Sequence, residues 1–135
     1  MTLRVLLVED SGVMRALLTN ILEAEAEAHA LVVGVAETET QAKAWLDSSA
    51  GMWDLALVDL YLREGTGVSV LDHCHDRRPD QTVVVMTNHA QDDALRGDCL
   101  QLGANAVFQK GSELDQMLTY CKALASKASL DGFYH

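Results

Sequence analysis

Leu55-Ala56-Leu57-Val58-Asp59-Leu60 is the stretch on which the fold turns. Four apolar residues with no alternation of polarity read as a short strand covered on both faces, and an acid closes it. Outward from it lie four more apolar runs: Leu3–Val8, Leu31–Ala36, Thr82–Met86 and Ala106–Phe108. Helical patterns separate them. Met14, Leu17, Leu18, Ile21 and Leu22 recur at three- and four-residue spacing, as do Leu114, Met117, Leu118, Cys121, Leu124 and Ala125. Ala42, Trp45 and Leu46 mark a second helix, Val68 to His75 a third, and Ala94, Leu95, Cys99 and Leu102 a fourth. Strand alternating with helix predicts parallel strands joined by right-handed crossovers. Five such units in 135 residues fit an α/β doubly wound five-stranded parallel sheet, flavodoxin-like, of order 2-1-3-4-5. Residues 1–128 are expected to form one domain and 129–135 a C-terminal tail. Trp45 and the leucine and methionine stripes then belong to the core.

Composition narrows the function. Twenty acids against ten lysines and arginines give a net charge of -10, which repels phosphate backbones and argues against direct nucleic-acid binding. Val5 to Val8 is too short to span a bilayer and no secretory leader precedes it, so a cytoplasmic, membrane-free protein is expected. Cys74, Cys99 and Cys121 are scattered, with no C-x-x-C, and read as reduced thiols, Cys121 on an apolar helix face.

In an open parallel sheet, ligands sit beyond the carboxyl ends of the strands, near the point where strand order reverses. Glu9 and Asp10 follow the first strand, Asp59 the third and Thr87 the fourth, and Lys110 comes shortly after the fifth. Three carboxylates on one rim repel each other unless a charge offsets them. A hard divalent cation, Mg²⁺ or Mn²⁺, would do so through oxygen ligands. Lys110 suits one phosphoryl oxygen and the Thr87 hydroxyl another. The set matches phosphoryl transfer, with central Asp59 as the nucleophile that forms an aspartyl phosphate.

The segments VLLVEDSGVMR, LALVDLYLREGTGVSVL, VVVMTNHA and LGANAVFQKGSE resemble the successive hallmark blocks of response-regulator receiver domains, over nearly the whole chain. The resemblance implies that Glu9 and Asp10 form the acidic pair for Mg²⁺, and that Asp59 is both phosphoacceptor and metal ligand. The backbone carbonyl of Tyr61 would complete the protein's share, with Thr87 and Lys110 on the phosphoryl group. The implied donor is a histidine kinase or a histidine phosphotransfer protein, and the receiver of the signal a partner protein or separate output domain. If the protein ends with this chain, it acts by binding a partner or relaying phosphate; if not, the output lies elsewhere. Such a domain catalyses only its own phosphorylation and dephosphorylation.

Four departures stand out. Arg63 and Gly111 occupy positions where most receivers have proline, and the second removes the usual reason for a cis peptide bond. Gly111 and Ser112 would form a turn, with Ser112 capping the final helix. Val107 stands where the family has a switch aromatic, and Phe108 one place later, on the opposite strand face. Either the coupling uses no aromatic swing, or the fifth strand is irregular. Asn88 and His89 follow Thr87 and, with Tyr61, would crowd an attacking water. Gly65-Thr66-Gly67 reads as a turn, not a phosphate cradle. His73 and His75 read as a solvated helix face, not a metal site.

Two other classes are open to this fold. A flavin carrier would need a phosphate-binding loop where Glu9 and Asp10 stand, and a phosphohydrolase of the haloacid-dehalogenase type would need Asp-x-Asp, whereas Leu60 and Tyr61 follow Asp59.

Overall fold

The computed structural model describes residues 2–134. Strands β1 (Leu3–Val8), β2 (Ala30–Ala36), β3 (Leu55–Val58), β4 (Thr82–Thr87) and β5 (Ala106–Gln109) pair in parallel in the order β2-β1-β3-β4-β5. Helices α1 (Gly12–Ala24), α2 (Glu39–Ser48), α3 (Gly67–His73), α4 (Asp93–Gln101) and α5 (Leu114–Tyr134) connect and cover them. The boundary expected at residue 128 falls within α5.

Because strand residues alternate between faces, each central strand feeds two cores. Leu6, Val8, Ala56, Val58, Val83, Val85 and Val107 pack on one side with Leu46, Val70, Leu71 and Cys99. On the other, Val5, Leu7, Leu55, Leu57, Val84 and Met86 pack with Leu18, Leu22, Met117 and Cys121. The three cysteines are free and buried, two in the first core and one in the second. Burial pushes the Cys121 thiol up to about 12.

Strand β5 is regular: Val85 faces Val107 and Met86 faces Phe108. Phe108 therefore sits in the second core, edge to face with Tyr120 at 5.8 Å, while Val107 is buried in the first. Of the two alternatives for the missing aromatic, the irregular strand is excluded. The irregularity lies in β2, between Val32 and Gly34.

Local chemistry sets the helix starts. Ser11, Thr38, Thr66 and Asp92 each accept a backbone N–H of the first turn, capping α1 to α4. Ser112 does not cap α5. That helix begins at Leu114, and the preceding Glu113 folds its carboxylate back to accept the Gln109 N–H at 2.8 Å. Trp45 packs against the first core but is only partly buried, lying across Gly34 where any side chain would collide with its ring, and the fully buried tryptophan is Trp53. One core expectation fails. Leu17 lies one residue off the buried stripe of α1 and is 41% exposed.

The far end of the sheet is tied by arginines. Arg77 donates to the carbonyls of Cys74, Gln81 and Gly103 and to the Asn105 side chain, joining α3, β4 and the α4–β5 loop. No peptide bond among the described residues is cis, the Lys110–Gly111 bond included.

Candidate functional site

The register of the sheet brings the strand ends together. Asp59 N–H donates to the Val8 carbonyl at 2.9 Å and Lys110 N–H to the Thr87 carbonyl at 3.0 Å, so the residues beyond β1, β3, β4 and β5 share one rim. Glu9, Asp10 and Asp59 each offer a carboxylate oxygen there, all within 4.8 Å of one another. Glu9 and Asp59 are buried, and Asp10 is half-buried.

Lys110 reaches into this cluster from β5. Its Nζ stands 2.6 Å from Glu9 Oε2 and 2.9 Å from Asp59 Oδ2. Burial disfavours the Lys110 ammonium, but its bonds to Glu9 and Asp59 outweigh that and raise its pKa overall. Glu9 is also raised, chiefly by burial and further by the Asp59 charge, against the lowering effect of Lys110. Three carboxylates against one ammonium leave a formal excess of two negative charges in a small, largely buried volume. That donor set is all hard oxygen and fits a divalent cation in both charge and ligand type.

Thr87 is fully buried, and its Oγ1 accepts the His89 N–H at 3.2 Å. Tyr61 and His89 meet edge to face, with ring centroids 4.9 Å apart. Tyr61 N–H also donates to Asp59 Oδ1 at 3.3 Å. Asn88 is exposed. All eight residues singled out from the sequence, Glu9, Asp10, Asp59, Tyr61, Thr87, Asn88, His89 and Lys110, thus belong to one neighbourhood. Gly65 has φ of 75°, Thr66 caps α3, and Gly67 is the first residue of that helix. A side chain at Gly67 would strike the Asp59 carbonyl, so this glycine permits the close approach of α3 to the acid. His73 and His75 are both exposed; His73 pairs with Asp47 at 2.8 Å, and His75 points toward Asp76.

The ion pairs around the rim carried no sequence signal. Arg15 donates to the Glu9 carbonyl at 2.9 Å and pairs with Glu37 at 3.0 Å, and Glu37 also pairs with Arg63 at 3.3 Å. Arg63, in the place of the missing proline, thereby ties the β3–α3 loop to the end of β2. The i,i+4 and strand patterns are blind to such loop-to-loop pairs.

The sequence profile of the response regulator receiver domain matches residues 5–122. The chain belongs to that family. A receiver relative is the DNA-binding transcriptional activator DevR/DosR of Mycobacterium tuberculosis (strain ATCC 25618 / H37Rv), 30% identical over 107 residues. The match covers 79% of this chain and 47% of that protein, so the receiver spans about half the length of its curated relative. Among solved structures, the receiver domain of a LuxO repressor protein from Vibrio parahaemolyticus superposes with a TM-score of 0.79 at 27% identity, covering 100% of this chain and 98% of the other. The response regulator domain of Thermotoga maritima CheB gives 0.80 at 19% identity, covering 93% and 98%. Receivers are signalling domains that accept phosphoryl groups from kinases and pass the change to outputs. No helix among the described residues is long and apolar enough to cross a membrane.

Proposed function

We propose that Asp59 is the phosphoacceptor of this receiver. A carboxylate oxygen of Asp59 attacks the phosphorus of a phosphohistidine on a histidine kinase or histidine phosphotransfer protein. The new P–O bond forms as the P–N bond breaks, and the donor imidazole keeps the electron pair and takes up a proton. The observation that carries this reading is Lys110 Nζ at 2.9 Å from Asp59 Oδ2, a buried cation beside the central carboxylate. Lys110 would hold one phosphoryl oxygen and the Thr87 hydroxyl another, neutralising charge that builds during transfer.

Glu9, Asp10, Asp59 and the Tyr61 carbonyl would hold Mg²⁺, or Mn²⁺ in its place. The bound cation would neutralise the phosphoryl oxygens and the carboxylate cluster. The domain acts as a cytoplasmic signalling module, with residues 1–128 as the receiver unit and no turnover beyond its own phosphorylation and dephosphorylation. Its output is a partner protein or a separate domain. With a net charge of -10, any nucleic-acid contact would belong to that output rather than to this segment.

Intact-mass spectrometry after treatment with acetyl phosphate or phosphoramidate and Mg²⁺ tests the assignment. One phosphoryl group is expected on the wild type and none on Asp59→Asn. Equal labelling of the two proteins would overturn it.

A further inference from the structure

Gln109 stands opposite Thr87 at the last rung of the β4–β5 ladder. Its side-chain amide continues that ladder into the loop beyond β4. Oε1 accepts the Ala90 N–H at 3.0 Å, and Nε2 donates to the Asn88 carbonyl at 2.8 Å. Arg96 of α4 holds the same loop from the other side, donating to the Ala90 carbonyl at 3.1 Å and to the Val107 carbonyl at 3.0 Å. Its guanidinium lies 3.7 Å from Glu113 Oε1, the oxygen that accepts the Gln109 N–H. Gln109, Ala90, Arg96 and Glu113 therefore form a closed polar circuit, from the rim of the site to α4 and the start of α5.

Thr87 enters this circuit through the His89 N–H, which its hydroxyl accepts. On the reading of Asp59 as phosphoacceptor, we propose that Gln109 is a positioning residue. It makes the 88–90 loop and the Arg96–Glu113 pair follow Thr87, so that a change at Asp59 reaches α4 and α5 through a hydrogen-bonded clamp. Rotating the Thr87 side chain so that its hydroxyl donates to a phosphoryl oxygen carries Oγ1 away from the His89 N–H that it accepts. The loop must then follow or leave that donor unpaired. Since Gln109 and Arg96 hold the Asn88 carbonyl and both backbone groups of Ala90, the loop shifts together with them. Neither Val107 nor Phe108 of β5 offers this route: Val107 is buried and has no polar group, and Phe108 faces the opposite core.

Backbone amide chemical shifts of the full chain, with beryllofluoride and Mg²⁺ as the probe, decide the matter. In the wild type, responses are expected at Leu60 and Tyr61 and also at Arg96 and Glu113. In Gln109→Met the responses at Leu60 and Tyr61 persist, while those at Arg96 and Glu113 are lost. Gln109→Glu, which keeps the acceptor for Ala90, carries the same test should the methionine variant fail to fold; there the distant responses shrink. Phe108→Leu keeps them in full. A merely structural Gln109 would lower the melting temperature yet leave the Arg96 and Glu113 responses intact, and that result overturns the proposal. Silence at Leu60 and Tyr61 in the wild type would instead remove the acceptor reading, and the clamp's role with it.

Discussion

The contact between Tyr61 and His89 bears on how long a phosphoryl group survives on Asp59. Hydrolysis needs a water aligned opposite the departing carboxylate, and these two rings, on residues whose backbone N–H groups bond Asp59 and Thr87, meet at 4.9 Å. Excluding the water costs rate directly, since each ~1.4 kcal/mol on the barrier is about tenfold. Tyr61→Asn and His89→Ala are each expected to speed the decay of labelled protein after the donor is removed, by roughly threefold to tenfold. Slower decay in either variant would mean that the ring assists hydrolysis, and shielding would be wrong. At this scale the sequence was informative wherever a residue's role depends on standing at a strand end. Glu9, Asp10, Asp59 and Lys110 each follow, and Thr87 ends, a strand that its own apolar run betrays. Gln109 and Arg96 were invisible because the atoms they share are backbone groups of the 88–90 loop, whose path no periodicity encodes.

Among the elements, the joint between β1 and β3 carries a pH-sensitive tie. Asp54, just before β3, accepts the Arg4 backbone N–H at 2.8 Å and two bonds from its guanidinium at 3.0 and 3.1 Å. Burial pushes the Asp54 carboxyl up, but the Arg4 side-chain bond, backbone bond and charge together outweigh it and hold the pKa below the ordinary range. A carboxyl depressed on folding stabilises the native state above its unfolded pKa, and that stability is lost as pH falls through the folded value. Asp54→Asn should therefore cost about 1–2 kcal/mol near neutrality, discounted because Arg4 is a third exposed. Urea midpoints should show the gap to wild type closing below the ordinary aspartate range; a gap that stays constant into acid would assign the loss to packing. Elements were legible where burial is continuous: β1 and β3 match their apolar runs, and the other three strands differ by one residue at an end. They were less legible where a side chain bonds backward into a loop, as Glu113 does to the Gln109 N–H ahead of α5, or where a ring lies over a glycine, as Trp45 does over Gly34.

For the whole molecule, the acidic cluster links cation binding to stability. A cation that binds only the folded state at ten times its Kd adds about 1.4 kcal/mol, which for a domain of this size raises Tm by roughly 5 °C. Mg²⁺ is expected to raise the wild-type melt and to do little for Asp10→Ala; equal shifts in both would place the cation elsewhere. The burial of all three cysteines gives the fold a second use. Maleimides and Ellman's reagent can reach these sulfurs only when a layer opens, so native-state thiol trapping becomes a two-channel reporter. Cys74 and Cys99 report excursions of the helices over one sheet face, and Cys121 those of α5 over the other. Followed with and without a phosphoryl mimic, the ratio of the two channels gives the side of the sheet that loosens when the switch is thrown.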